Sequence, residues 1–169
     1  TEANEGAALL ATIYTGSSEF ICLRNGLHGR TKLTMSMTGI GMWRTDPNPV
    51  GGISFAPNPY CYRCPLGKTY PECDLACANA VEDIIKTNTS GKVAAFFAEP
   101  IQGNAGIITP PPGYFQRLKE ILDKYNILLV VDEVQTGFGR TGKMFAIENF
   151  NIVPDIMTVA KTLGNGTPI

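Results

Sequence analysis

Between residues 74 and 161 two hydrophobic patterns alternate along the chain. The stretch DLACANAVEDIIKTN sets Leu75, Ala78, Val81, Ile84 and Ile85 at helical spacing, and GYFQRLKEILDKYN does the same with Phe115, Leu118, Ile121, Leu122 and Tyr125. Around them run KVAAFFAEP, ILLVVDE and PDIMTVAK, short and almost wholly apolar, as strands covered on both faces are. Strands alternating with helices predict parallel β-α-β units, because parallel strands need a crossover between them. Ahead of this block, EANEGAALLATIY (2–14) predicts a helix buried on most sides with Thr1 as its N-cap. EFICLRN (19–25) predicts a short strand, and HGRTKLTMSMTG (28–39) a turn followed by a helix. The expected fold class is α/β, a mostly parallel sheet with flanking helices.

One region breaks the pattern. From 40 to 77 the chain is rich in Pro, Gly, Asn, Tyr and Cys, with TDPNPVGG and APNPY, and predicts an irregular excursion. Four of the five cysteines lie at its end, as Cys61, Cys64, Cys73 and Cys77. This C-x2-C-x8-C-x3-C array has zinc-ligand residue types, but its middle interval is short for the common zinc patterns, so reduced thiols are the alternative.

Composition narrows the function. With 44% apolar and 17% charged residues, the chain can bury a core. Fourteen basic residues against fifteen acidic ones exclude the basic footprint of a nucleic-acid binder, and no apolar run predicts a membrane span. Small molecules are the expected partners. The start TEANEGAALLA lacks a signal-peptide layout, so a cytoplasmic setting is expected, or a mitochondrial one if a preceding segment carries a transit peptide. The chain reads as a piece of something larger.

Ionisable residues stand where the apolar strands end: Glu99, Asp132 with Glu133, and Lys161. Ligands of parallel α/β sheets bind beyond those ends. Gly137, Gly139 and Gly142 spell G-x-G-x-x-G, but five residues separate the strand from Gly137, and the candidate ribose acid Asp155 precedes its strand where it should follow. A nicotinamide dinucleotide is therefore set aside, and the glycines are read as turns. An aspartate at one strand end and a lysine at the next suit pyridoxal phosphate, which needs a carboxylate for its pyridine nitrogen and an amine for its aldehyde. The N-terminus of the first helix, at Thr1, offers donors for its phosphate.

The motifs FFAEPIQGNAGII, LLVVDEVQTGFGRTG and PDIMTVAKTLGNGTPI, with TEANEGA and NGLHGRT before them, resemble the class III (ω-amino acid) pyridoxal-phosphate aminotransferases of fold type I. The resemblance implies the central part of a large cofactor domain, with an N-terminal segment and a C-terminal small domain outside residues 1–169. It implies that Lys161 forms a Schiff base with the cofactor and then moves the substrate proton, and that Asp132 pairs with the ring nitrogen. Gln135 would bond the ring's phenolate oxygen, Val134 would lie on one face, and Leu27 and His28 would belong to the motif covering the other. Thr1 would contact the phosphate and Glu99 would lie near the ring. It further implies an amino donor, a 2-oxo acid acceptor and a homodimeric full-length protein. Leu27 stands where the family has an aromatic residue stacked on the ring. Asn104 stands where the ornithine and 4-aminobutyrate subfamilies have a gating glutamate, which draws the chain toward alanine-glyoxylate-like or pyruvate-using ω-transaminases. An aminomutase or decarboxylase on the same fold, and a non-catalytic zinc-stabilised module, are the alternatives.

Overall fold

The computed structural model describes all 169 residues. Five strands form one sheet: β1 (Glu19–Leu23), β2 (Ile53–Ala56), β3 (Val93–Ala98), β4 (Leu128–Asp132) and β5 (Ile156–Thr158). Their order is β2-β1-β3-β4-β5, and every neighbouring pair is parallel. Four α-helices connect or flank them: α1 (Glu2–Thr15), α2 (Lys32–Met37), α3 (Ala76–Asn88) and α4 (Tyr114–Lys124). No helix is long and apolar enough to cross a membrane.

The period-two alternation of a strand sorts the core into two layers. Ile21, Leu23, Phe96, Ala98, Leu129 and Val131 pack with α3 and α4, whereas Phe20, Cys22, Phe97 and Val130 pack with Ala7, Ala8 and Ala11 of α1 and Met37 of α2. A register shift in β3 keeps both layers filled. Glu19 pairs with Val93 but Phe20 pairs with Ala95, so Ala94 and Ala95 both join the α1 layer. In β4 the alternation puts Asp132 on the same side as Val130, beneath α1, which fixes the surroundings of that carboxylate.

The sheet order also creates a switch point. From β1 the chain crosses outward to β2, then returns to β3 on the other side of β1 and continues outward through β4 and β5. The loops leaving β1 and β3 diverge there and leave a crevice between them.

Three expectations need correction. The first helix is not buried on most sides: Asn4, Ala7, Ala8 and Ala11 are buried, while Leu9, Leu10, Ile13 and Tyr14 are 60–81% exposed. The small residues allow close approach to the sheet and the large ones point away from it. The irregular excursion contains β2, an edge strand that pairs only with β1. The last strand stops at Thr158, and Lys161 lies in a 3-10 turn (Lys161–Gly164) with φ +45°.

Candidate active site

Three loops at the carboxyl ends of β1, β3 and β4 meet at the switch point, each bringing polar groups the core must satisfy. The loop after β1 carries Leu27 and His28. The loop after β3 carries Glu99, whose two oxygens accept the backbone N–H of Leu27 (2.9 Å) and of Gly103 (2.9 Å). Glu99 thereby ties the two diverging loops together. Burial pushes its carboxyl above the usual range, and the nearby His28 charge and the two N–H donors offset part of that rise.

Asp132 closes β4 and is buried. Its Oδ2 accepts Nδ2 of Asn4 at 2.7 Å and Nδ1 of His28 at 2.9 Å, and its Oδ1 accepts the N–H of Val134 at 3.1 Å. The same Asn4 amide nitrogen donates to the His28 carbonyl at 2.7 Å, and the Asn4 Oδ1 accepts the Thr158 hydroxyl at 2.8 Å. One asparagine in the first turn of α1 thus joins the ends of β4 and β5 to the loop after β1. The His28 N–H completes the network on the Thr38 hydroxyl at 3.2 Å. Burial works to lower the His28 pKa, but the hydrogen bond and charge of Asp132, with the charge of Glu99, outweigh it and hold the value above that of free histidine.

Lys161 emerges beyond β5, exposed, and its amine forms no hydrogen bond or ion pair. It lines a cavity of about 560 Å³ with Gln135, Thr136, Gly103, Arg140 and Thr162. That volume suits a small organic ligand, for which pockets run to roughly 300–1,000 Å³. Gln135 lies across Gly103 so closely that a Cβ there would come within 2.2 Å of its Oε1. Glycine at 103 is what lets the amide reach this place.

The structure therefore brings Gln135 and Lys161 to one cavity. Asp132 sits in the buried network beside it and is not part of the lining. Val134 is half-buried and donates to Asp132. His28 is buried, with its Nδ1 on Asp132. Leu27 is half-buried, held by Glu99. Thr1 caps α1 by position but makes no side-chain capping bond; its hydroxyl accepts the N–H of Arg30 at 3.3 Å. Glu133 faces away: Oε1 accepts the Ile147 N–H at 2.8 Å and Oε2 the Thr136 hydroxyl, so it braces the following loop.

Sequence reasoning missed Asn4 and Thr158. The signal for Asn4 was present, since it falls on the stripe of Ala7, Ala8 and Ala11, where a polar residue must find partners. Zinc was the alternative to free thiols at the four clustered cysteines, and these lie at different depths. Cys61 sits on an exposed 3-10 turn and Cys77 in the buried first turn of α3, and no group of three or more His, Cys, Asp or Glu side chains is placed to hold a metal ion.

At the carboxyl edge of a parallel α/β sheet the chain thus sets a buried aspartate, a free lysine and a glycine-seated glutamine. The chain belongs to the family Aminotransferase class-III, whose pattern matches residues 1–169. Over 175 residues it is 45% identical to a leucine/methionine racemase of Thermococcus litoralis, covering 100% of this chain and 39% of the relative. It is 44% identical to an acetylornithine aminotransferase of Methanothermobacter thermautotrophicus, covering 99% of this chain and 38% of that one. A mitochondrial alanine–glyoxylate aminotransferase 2 homolog of Arabidopsis thaliana is 40% identical over 100% of this chain and 34% of its own length. Among solved structures, a PLP-bound amine transaminase from an uncultivated Pseudomonas species superposes with a TM-score of 0.92 at 35% identity, over 98% of this chain and 39% of that one. The chain thus spans less than two fifths of the length of these relatives.

Proposed function

We propose that this chain is the central part of a pyridoxal-phosphate-dependent transaminase that moves an amino group from an amino acid or ω-amine to a 2-oxo acid of the pyruvate or glyoxylate type. The observation that carries this reading is the placement, beyond the carboxyl ends of the neighbouring strands β5 and β4, of an unengaged amine, Lys161, and a buried carboxylate, Asp132, with one acceptor position free.

The residues fit that cofactor. A carboxylate offers about four acceptor positions. Asn4, His28 and Val134 occupy three of those on Asp132, leaving one on Oδ1 for a protonated ring nitrogen. When bound, pyridoxal phosphate supplies an electron sink conjugated to the substrate's amine-bearing carbon. Lys161 carries the primary amine that would hold the cofactor's carbonyl carbon and, once free, would act as the base that takes the proton from the substrate's amine-bearing carbon. Gln135 presents its amide at the cavity wall to bond the ring oxygen. The N-terminus of α1 with the Thr1 hydroxyl would receive the phosphate. Asn4 and His28 keep Asp132 from rotating, so its negative charge is aimed before any ligand arrives. Asn104 in place of a gating glutamate supports a small acceptor, in keeping with the name of the Arabidopsis relative.

Borohydride reduction after incubation with pyridoxal phosphate, followed by peptide mapping, tests the reading. Attachment at Lys161, lost in Lys161→Ala and weakened in Asp132→Asn, is expected; label scattered over surface lysines would overturn it. We also infer that residues 1–169 alone turn over amino donors far more slowly than the longer protein that contains them, since an error near 1 Å in the placement of reacting groups costs about a hundredfold in rate.

A second reading is favoured by the 45% identity to a racemase. Racemisation uses the same proton removal at Lys161 but returns the proton to the same carbon. Incubating the longer protein with one amino-acid enantiomer and no 2-oxo acid separates the two: loss of optical purity identifies a racemase, and dependence on an added 2-oxo acid a transaminase.

A further inference from the structure

Cys61, Cys64, Cys73 and Cys77 gather at one place in the fold. Cys61 opens a 3-10 turn (Cys61–Arg63), Cys64 follows it, Cys73 lies in the turns leading to α3, and Cys77 is in the first turn of α3. Twelve positions separate Cys61 from Cys73 in sequence, yet all four cysteine residues line one small cavity of about 10 Å³, which also includes Lys68. They are not equivalent. Cys61 is exposed, Cys64 and Cys73 are half-buried, and Cys77 is buried with its thiol pushed up to about 11 by desolvation. Burial raises the Cys61 thiol as well, and the charges of Cys73 and then Cys64 add to it, which agrees with their closeness around the cavity. The fifth cysteine, Cys22, is wholly enclosed in β1 and cannot meet a reagent.

We propose that this cluster is an oxidisable clasp, in which Cys61 and Cys73 become joined as an intramolecular disulfide when the protein meets a low-molecular-weight disulfide. The exposed Cys61 thiolate attacks one sulfur of the reagent, forming a mixed disulfide and expelling one thiolate, which takes up a proton. The Cys73 thiolate then attacks the Cys61 sulfur and expels the second half of the reagent. Two protein thiols are oxidised and one small disulfide is reduced to two thiols. Cys77 is a poor competitor because its thiolate is scarce at neutral pH. The bond ties the 3-10 turn to the approach of α3 and so fastens the irregular excursion to the sheet's α3 face.

Reaction with oxidised glutathione tests the clasp. The reduced chain has five titratable thiols after denaturation, and treatment should remove two of them without dimer formation. Trypsin cuts after Arg44, Arg63, Lys68 and Lys86, so Cys61 falls in peptide 45–63, Cys64 in 64–68, and Cys73 with Cys77 in 69–86. The expected product links 45–63 to 69–86. It should persist in Cys64→Ser and Cys77→Ser and vanish in Cys61→Ser and in Cys73→Ser. Cleavage of the folded protein at the exposed Arg63 and Lys68 should slow by about tenfold on oxidation. Four outcomes would each overturn the proposal: an unchanged thiol count, a 45–63 to 64–68 link, glutathione adducts alone, or bound zinc released when the thiols are alkylated.

Discussion

Nδ1 of His28 and Oδ2 of Asp132 lie 2.9 Å apart with both side chains out of reach of solvent. Burial works against the charged imidazolium, but Asp132 and Glu99 favour it, and the net effect is a raised His28 pKa. A raised value in the folded state means that the pair's stabilisation is complete below the unfolded pKa, near 6.5, and is lost as pH climbs through the folded value. His28 is the only histidine, so its Cε1–H gives a single resonance. Its NMR titration midpoint should lie above 6.5 in the folded chain, fall in Asp132→Asn, and coincide with a decline in urea stability.

Asn4 should prove costly to lose. Asn4→Ala removes donors from Asp132 Oδ2 and the His28 carbonyl, and the acceptor of the Thr158 hydroxyl, in a place water does not reach. Each orphaned buried group costs about 1–3 kcal/mol, so a loss of roughly 2–4 kcal/mol is expected in urea denaturation. A surface change such as Glu2→Ala should stay within about 0.5 kcal/mol.

Gly103 and Gly29 predict different kinds of damage. A Cβ at Gly103 meets only the end of the Gln135 side chain, which can swing away. Gly103→Ala should leave stability nearly unchanged while weakening pyridoxal phosphate uptake, read from the change in cofactor absorbance on titration. At Gly29 the backbone has φ +148°, and a Cβ would lie 2.8 Å from the Thr1 Cα and 2.4 Å from the Thr34 hydroxyl oxygen. Gly29→Ala should therefore lower stability itself, by about 1–3 kcal/mol, with or without cofactor.

Much of this arrangement was legible before any coordinates, for reasons that can be located. β3 and β4 are apolar because both their faces are covered, and that alone marked them, their order along the chain and their acidic ends. β2 escaped because ISFA lies among prolines and glycines and gains strand character from a single neighbour, β1. The last strand was drawn too long because VAK continues the apolar run, whereas the chain turns at Ala160 to bring Lys161 round to the cavity. Residue types and spacing left zinc as an alternative to free thiols, and they do not say that the four cysteines differ so much in depth.

The α1 correction can be tested directly. Leu10 is 60% exposed and Ala8 only 1%, although a helix buried on most sides would shelter the leucine as well. Leu10→Ala should change thermal stability by no more than about 0.5 kcal/mol, far below the roughly 2–5 kcal/mol of a core leucine. Ala8→Leu should cost about 1–3 kcal/mol by forcing α1 off Phe20 and Phe97.

Asp155 separates the two cofactor readings. As a ribose-binding acid it would project from a strand's carboxyl end, but it stands at the opposite end of β5. There its Oδ2 accepts the Leu129 N–H at 2.8 Å, its own N–H donates to the Leu129 carbonyl at 3.0 Å, and Lys119 lies 3.1 Å away. It pins the start of β5 to β4. Asp155→Ala leaves the Leu129 N–H without its acceptor, and a loss of about 1–2 kcal/mol is expected. Pyridoxal phosphate uptake at Lys161 should persist at temperatures where the variant stays folded, and calorimetry should detect no heat of binding for NAD in either protein. A variant that kept full stability, or a wild-type chain that bound NAD and lost it with Asp155, would contradict the assignment of this residue to the frame of the sheet.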